Sequence, residues 1–477
     1  MDSVSWIATA FFLASTSMQP LYGRLSDIFG RIETLITGLV IFLVGSAVCG
    51  AAQSMGMLIG GRVIQGLGAS ALVSLVMVII SDISTERERG KVASVFSAIW
   101  ATSSVLGPIL GGVFTESSGG WRWVFYFSLP VGGVAGVFIL VFLRLPRPRG
   151  SLIEKLRRID YVGMFVLAGG IVMVLLALNF GGQQYSWTSA AVLCLLLFGI
   201  VVVGIFVLYE GKVPREPVMP LRLFKNRNVA VALLQNIFVG AAMYGPPYYI
   251  PLYFSTVQNS SAIGASLHLL PFLLPIAIFS IITGLLVSRT GRYREFEWVG
   301  GAIATTGICL LMLLDEKSGI GKCVGILIVP GIGLGIMLQP LMLSLQTAIQ
   351  DRDIATGTTL FVAMRSLGGS IGLAVYQTVQ LNTLRSQVQP LYAKFPNHKD
   401  IIEGSVQNQA AIYYDNVPED VRAAIIQANV KALRAVFYSM IPFAALLFLL
   451  SLCLKHIPLR TKMARTTANT HESEEKV

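Results

Sequence analysis

The feature that most constrains the fold is a series of long apolar segments that recurs along almost the whole chain. Thirteen of these runs lie between residues 4 and 454, each near the roughly 20 residues that cross a bilayer as a helix. Only 13% of the residues are charged, against about 25% in soluble domains. The runs are unbroken and rich in glycine and alanine, unlike the alternating strands of membrane barrels. The sequence therefore predicts an all-α multi-pass membrane protein.

The basic residues are distributed unevenly among the loops. Loops that follow the odd-numbered runs, together with the C-terminal tail, hold 25 of the 36 Lys and Arg residues. The positive-inside rule assigns these loops to the cytoplasm and so explains the net charge of +11 without nucleic acid. The five cysteines and four histidines form no metal-binding or catalytic pattern. We therefore expect no metal, no cofactor and no enzymatic activity.

An internal repeat divides the chain into two halves. The segment GRLSDIFGRI, which starts at Gly23, matches GLLVSRTGRY, which starts at Gly284, at four positions with the same spacing in both segments. A weaker match follows three runs later in each half, and two additional runs separate the halves. The predicted domains are an N-terminal half with five helices (1–143), a linker with two extra spans (144–228), a six-helix half (229–454) with an outside loop (381–434), and a cytoplasmic tail (455–477). Because the first half has one helix fewer and the charge rule places Met1 outside, we expect a further helix upstream.

Three ordered motifs resemble signatures of the major facilitator superfamily. The first lies in the loop after run one, the second in run three and the third in run four. Together with the two extra spans, they resemble the fourteen-span drug:proton antiporter branch, which includes fungal multidrug and toxin efflux transporters. The matching residues are Gly23, Leu25, Asp27, Gly30, Arg31 and Leu35 for the first motif, Leu58, Arg62, Gln65, Gly66, Gly68 and Ala69 for the second, and Gly107, Pro108, Gly111 and Gly112 for the third.

The first motif is expected to form a latch at the cytoplasmic side. We expect Asp27 to lie on a short connection, where its carboxylate can meet the positive end of a helix N-terminus. Gly23 and Gly30 would permit a tight turn and a close approach. The resemblance implies that Asp27, together with Arg31, holds the two halves together in the outward-open state.

The other two motifs carry different expectations. Arg62 lies inside an apolar run, where a charge is costly, so it should face the bundle interior and have a partner. The resemblance links Arg62 and Gln65 to proton coupling. In the third motif the glycines and Pro108 predict a bent, closely packed helix. The resemblance implies that this element limits leak and favours antiport.

Polar and aromatic residues within the runs are candidates for a substrate cavity near the middle of the membrane. The segment YGPPYYIPLYF, residues 244–254, contains three prolines and predicts a disrupted helix beside such a cavity. No run has an acidic residue near its middle, so the proton carrier is not evident. The cavity candidates are Gln19, Trp100, Gln235, Asn236, Tyr244, Tyr248, Gln339 and Arg365.

These observations lead to a functional hypothesis with alternatives. We expect a secondary active transporter that exports small organic molecules by proton antiport with alternating access. The absence of acidic cavity residues favours neutral or cationic amphipathic substrates. One alternative is a vacuolar antiporter for basic amino acids, and another is a facilitator or a non-transporting relative. The expected partners are a small-molecule substrate, protons and the lipid bilayer; we expect a monomer, in the plasma membrane or alternatively in the vacuolar membrane.

Overall fold

The computed structural model describes residues 3–116, 120–182, 184–213, 217–407, 413 and 417–459. Helices make up almost all of this part of the chain, and it contains no β-sheet. The prediction of an all-α protein is therefore confirmed. The first helices are α1 (Ser3–Phe29), α2 (Arg31–Gly50), α3 (Met55–Ile83), α4 (Glu86–Glu116), α5 (Arg122–Tyr126), α6 (Ser128–Phe142), α7 (Leu152–Arg157), α8 (Tyr161–Phe180) and α9 (Ala190–Lys212). They are followed by α10 (Arg227–Thr256), α11 (Ala262–Leu267), α12 (Leu270–Thr290), α13 (Arg294–Leu310), α14 (Ile320–Gln346), α15 (Ile354–Lys394), α16 (Lys399–Gln407) and α17 (Glu419–Leu452).

Membrane-spanning helices dominate the architecture. Eleven helical segments in the described ranges are long and apolar enough to cross a membrane. The two other predicted runs correspond to α1 and α4, which are 27 and 31 residues long but contain more polar residues. The chain is a multi-pass membrane protein.

The helices form two groups that meet along a cavity-containing interface. In the first group, α1 and α2 pack against α3. In the second group, α10 packs against α15, and both α12 and α13 pack against α14. The groups contact each other where α1 lies against α15 and α4 lies against α12. This arrangement places α1, α4, α12 and α15 at the boundary between the groups.

The first connection is shorter than expected. Helix α1 continues through Phe29, so Gly30 alone separates it from α2, and Asp27 lies in the last turn of α1. Our expectation that Asp27 lies on a short connection between two helices was wrong. Charged residues mark the membrane boundary but do not end a helix, whereas Gly30 adopts a φ of 112° that few other residues tolerate.

The proline-rich segment also differs from expectation. Helix α10 is continuous across Pro246, Pro247 and Pro251, so the predicted disruption of the helix does not occur. A proline removes one backbone hydrogen bond, but neighbouring helices can stabilise the affected turn. Here α15 and α17 pack along α10 and supply that support.

The predicted outside loop is largely helical. Helix α15 continues to Lys394, and α17 begins at Glu419, so both helices extend into the 381–434 segment. Leu384, Val388, Ile402 and Val421 are fully or almost fully buried in a small apolar cluster of their own. This cluster joins the ends of α15 and α17 to the short helix α16.

Two glycines set the close contact between α10 and α15. A Cβ atom at Gly240 would overlap the backbone oxygen of Arg365, and one at Gly368 would overlap the backbone oxygen of Ile237. Each helix therefore presents a glycine to the backbone of the other, as packed membrane helices often do. The backbone of Arg365 is held in place by this contact.

Substitution of Gly368 by leucine is expected to destabilise the protein by about 1–3 kcal/mol, because overpacking forces the two backbones apart. Thermal unfolding of the detergent-purified protein measures this effect. Gly325→Leu on α14 is the matched control, since a side chain there meets no atom within 4 Å. Equal melting temperatures for both variants would contradict the assigned contact.

Candidate functional site

A central cavity lies between the two groups of helices. Its volume is about 210 Å³, and residues from α1, α3, α4, α10, α12, α14 and α15 line it. Most of the wall is apolar or aromatic, including Phe11, Phe12 and Trp100, while Gln19 and Gln339 add amide groups. Among the described residues that line the cavity, Arg365 is the only one whose side chain is charged at neutral pH. The cavity therefore combines aromatic walls with one positive charge.

Five of the eight predicted cavity residues line this space. The Nε2 atom of Gln339 donates to Ser280 Oγ over 3.3 Å. The side-chain oxygen of Gln19 is buried and accepts no hydrogen bond. The central cavity therefore offers polar groups close to its single cation; the five lining residues are Gln19, Trp100, Tyr244, Gln339 and Arg365.

The other three candidates lie elsewhere. Tyr248 lines a second cavity, of about 400 Å³, together with Asn179 of α8 and Gln377 of α15. Gln235 and Asn236 are buried inside the second group of helices and line neither cavity. Sequence position alone did not distinguish residues that face a cavity from those that face a neighbouring helix.

The latch motif forms a cluster of charges at the end of α1. Arg31 Nη1 contacts Asp27 Oδ1 at 2.6 Å and donates to Ser26 Oγ at 2.8 Å. Arg31 Nε also contacts Asp82 Oδ2, at the end of α3, over 2.9 Å. Asp82 was not among the predicted site residues, although its place at the end of a span was a usable signal. Arg31 thus links three helices through one guanidinium.

The contact between the latch motif and the second group of helices is made by Gly23. A Cβ atom there would overlap Thr359 Oγ1 and the backbone oxygen of Ala355, both in the first two turns of α15. The expected contact of Asp27 with a helix N-terminus is not formed, and its buried Oδ2 atom has no hydrogen-bond partner. The two groups are therefore closed against each other here through backbone packing.

Arg62 is paired within the first group, as expected. Its Nε atom donates to the backbone oxygen of Ile7 at 2.9 Å, and its guanidinium lies 4.2 Å from the centre of the Phe11 ring. Its Nη1 atom also donates to Gln65 Oε1 at 2.5 Å, and Gln65 Nε2 donates to Ser46 Oγ at 2.8 Å. This network joins α1, α2 and α3, and its Phe11 ring forms part of the central cavity wall.

The structure describes only part of the third motif, which lies in α4. A Cβ atom at Gly107 or Gly111 would meet no atom within 4 Å. The expected close packing of the helix is therefore not formed at these two glycines. Pro108 and Gly112 lie outside the residues whose side chains the structure describes.

Glu297 is a buried acid that the sequence analysis missed. It lies in the first turn of α13 and is 0% exposed, and its Oε2 atom accepts a hydrogen bond from Gln235 Nε2 at 3.0 Å. The remaining side-chain oxygens of both residues are buried without partners. Because α13 begins at Arg294, Glu297 belongs to the helix and not to its boundary. The acidic first turn REFE of a span was the available signal.

Glu297 is connected to the cavity wall through α10. Its partner Gln235 is followed in that helix by Asn236. Asn236 Nδ2 donates to the backbone oxygen of Phe361 on α15 at 2.5 Å. Phe361 lines the central cavity, one turn before Arg365. Hydrogen bonds therefore join α13 to α10 and α10 to the helix that carries the cavity's charge.

Comparisons with known proteins agree with this architecture. Relatives include the efflux pump dotC of Dothistroma septosporum, 38% identical over 387 residues, which cover 81% of this chain and 67% of dotC. The MFS-type efflux pump LUC4 of a Fusarium species is 31% identical, with 96% of this chain and 82% of LUC4 covered. An MFS-type transporter of the acurin A biosynthesis cluster of Aspergillus aculeatus is 34% identical, with 96% and 83% covered.

Solved structures show the same fold. The human organic anion transporter MFSD10 (TETRAN) matches with a TM-score of 0.59 at 15% identity, covering 94% of this chain and 83% of MFSD10. The proton:xylose symporter XylE matches with a TM-score of 0.55 at 14% identity, covering 89% and 88%. The family model of the Major Facilitator Superfamily matches residues 1–160 and 157–373. The chain therefore belongs to the Major Facilitator Superfamily.

Proposed function

We propose that this secondary transporter exports small organic molecules in exchange for protons, by alternating access of the central cavity to the two sides of the membrane. The observation that carries the proposal is the position of the cavity, at the interface of two helix groups that can rock against each other. The chain is not an enzyme, because its family consists of transporters. The names of its relatives, which are efflux pumps, support the outward direction.

The cytoplasmic contact is proposed to act as the latch of the outward-facing state. Gly23 packs on α15, and the Asp27–Arg31–Asp82 cluster ties the end of α1 to α2 and α3. When the cavity opens to the cytoplasm, the Gly23 contact must separate while the cluster moves with the first group. Such a small interface can open and close reversibly.

Asp27→Asn is expected to lower export severalfold while membrane insertion and the amount of folded protein stay normal. Asparagine keeps the shape of the side chain but removes the charge that pairs with Arg31 at 2.6 Å. Initial transport rates, normalised to the protein in the membrane, measure the effect. Glu88→Gln is the control, because Glu88 is an exposed acid at the same side of the membrane. Wild-type rates for Asp27→Asn would remove the latch role.

Glu297 is proposed to carry the exchanged proton. This carboxyl group forms no ion pair with a described residue, and a buried, unpaired carboxylate is costly. A protonated Glu297 could donate from its free oxygen, and the free oxygen of Gln235 is an acceptor without a partner. Arg294 and Glu295, in the same turn of α13, pair with each other, with 3.7 Å between Arg294 Nη2 and Glu295 Oε1. A neutral acid paired with an amide fits this environment better than a charged one.

Proton release from Glu297 would remove the hydrogen bond that the acid can donate and leave a buried negative charge, and so favour a different packing of α13 against α10. The hydrogen bond from Asn236 to Phe361 provides a route by which that change reaches the cavity wall. The Arg62–Gln65 network is a second candidate for coupling, because it joins three helices beside Phe11. Glu297 is preferred because a carboxyl group can gain and lose a proton, whereas an arginine side chain stays protonated.

A vacuolar antiporter for basic amino acids is not favoured. A cationic substrate requires a negative or strongly polar counterpart, but the described lining of the central cavity contains Arg365 and no acidic residue. We retain the plasma membrane as the proposed location.

The test uses inside-out vesicles that contain the full chain. An imposed pH gradient, acidic inside, should drive the uptake of labelled aromatic compounds, which corresponds to export in the cell. Collapse of the gradient with a protonophore should abolish this uptake. Labelled lysine serves as the probe for the alternative substrate. Uptake that does not respond to the gradient would contradict antiport, and gradient-driven lysine uptake would favour the alternative.

A further inference from the structure

The charge of the central cavity points to a class of substrate. Arg365 forms no hydrogen bond, ion pair or cation–π contact with any residue in the described part of the chain. None of the described residues that line the cavity is an aspartate or a glutamate. The guanidinium is therefore a cation without a counterion among the described residues, inside a cavity that lies within the membrane.

Uncompensated charges within a membrane protein are costly and are usually retained for a function. The packing of α15 on α10 holds the backbone of Arg365 in place through Gly240, so the side chain has little freedom to move to the membrane surface. An anion in the cavity would supply the missing counterion, and arginine suits carboxylates and sulfonates because it can donate two parallel hydrogen bonds.

We propose that the central cavity binds organic anions that carry an aromatic ring system, with Arg365 as the anion-binding residue. The walls formed by Phe11, Phe12 and Trp100 would contact the ring. Gln19 and Ser366 lie in the same lining and offer further hydrogen-bond donors. This assignment replaces the expectation of neutral or cationic substrates, which rested on the absence of acidic residues and did not weigh the arginine.

The charge of the substrate has a consequence for energetics, which rests on the proposed antiport. If one anion leaves the cell for each proton that enters, two positive charges move inward per cycle. Exchange of a monovalent cation for a proton would move none. Export of an anion is therefore expected to be driven by the membrane potential as well as by the pH gradient.

Equilibrium binding tests the assignment without relying on proton coupling. The probes are 2-naphthoate and 2-naphthylmethylammonium, which share a ring system and differ in charge, added to the detergent-purified full chain. Wild-type protein should bind naphthoate at least tenfold more tightly than the ammonium compound. Arg365→Gln should weaken naphthoate binding at least tenfold, whereas Arg365→Lys should retain part of the affinity.

The matched control is Arg122→Gln, which removes the same charge from a residue outside both cavities, whose guanidinium binds the backbone oxygen of Ala52. Its naphthoate affinity should equal that of the wild type, and thermal unfolding identifies any variant that fails to fold. Unchanged naphthoate affinity in Arg365→Gln would overturn the assignment. Tighter wild-type binding of the ammonium compound, or no naphthoate binding at all, would also overturn it.

The two proposals can fail separately. Naphthoate binding that depends on Arg365, combined with flux that ignores a pH gradient, would leave the substrate class intact and contradict antiport. Gradient-driven export of the ammonium compound, without naphthoate binding, would support antiport and overturn the anion assignment. Naphthoate flux that depends on Arg365 and responds both to a pH gradient and to an imposed potassium diffusion potential would support both.

Discussion

Replacing Glu297 with glutamine is expected to abolish proton-driven export, with a loss of at least tenfold, while the protein stays folded. Glutamine has the shape of a protonated glutamate and can still pair with Gln235, but it cannot release a proton. The side chain at position 297 should therefore stay neutral throughout the transport cycle of the variant. Exchange of substrate for substrate across the membrane, which needs no net proton movement, is expected to persist.

Two measurements distinguish this effect from simple damage. Substrate counterflow at equal pH on both sides should remain near the wild-type rate, whereas uptake driven by a pH gradient should fall. Infrared difference spectra should contain a carboxylic acid band in the wild type that is missing from Glu297→Gln. The matched control is Glu316→Gln, at an exposed acid in the loop between α13 and α14. Full gradient-driven uptake by Glu297→Gln would exclude this residue as the proton carrier.

The second large effect is expected from valine at Gly23, which should reduce transport at least tenfold. A side chain here overlaps Thr359 and the backbone of Ala355, so the two helix groups cannot close at the cytoplasmic side. Unlike a flexible side chain, the backbone of α15 cannot move aside without displacing the whole helix. The variant is expected to favour states in which the cavity faces the cytoplasm.

Cysteine labelling reports the closure directly. Ala355 is 1% exposed in the closed arrangement, so Ala355→Cys, in a background with the native cysteines replaced by alanine, should react slowly with a maleimide added from the cytoplasmic side. Adding Gly23→Val should increase that rate. Gly60→Val is the control, because a side chain at Gly60 meets no atom within 4 Å. Equal labelling in both backgrounds would contradict closure at this contact.

The sequence predicted the helices well because the apolar runs have a physical cause that acts locally. A segment of about 20 apolar residues must hydrogen-bond its own backbone in a bilayer, whatever its neighbours are. Helix ends were less predictable. Charges mark the membrane surface, yet α1 continues past Arg24 and Asp27 to Phe29, and α15 continues 14 residues past its expected end at residue 380. A helix can continue from the bilayer into water where other helices pack against it.

Side-chain roles were harder to predict because they depend on which helix lies opposite. Gln19 and Gln235 are both amides within apolar runs, but only Gln19 faces the central cavity. Similarly, the latch residues were recognised from their spacing in one motif. Asp82 lies on another helix, 51 residues after Arg31, and contacts Arg31 only in the folded protein. Glu297 was missed because its helix begins three residues earlier than the apolar run suggested.

Proton movement coupled to substrate movement tests the central claim most directly. The full chain is reconstituted in liposomes that contain a pH-sensitive dye, and a gradient of naphthoate is imposed with no initial pH difference. Antiport predicts that naphthoate flowing in one direction drives protons in the opposite direction, and that the dye signal vanishes with Glu297→Gln. Naphthoate flux without any proton movement, or with protons moving in the same direction, would contradict antiport.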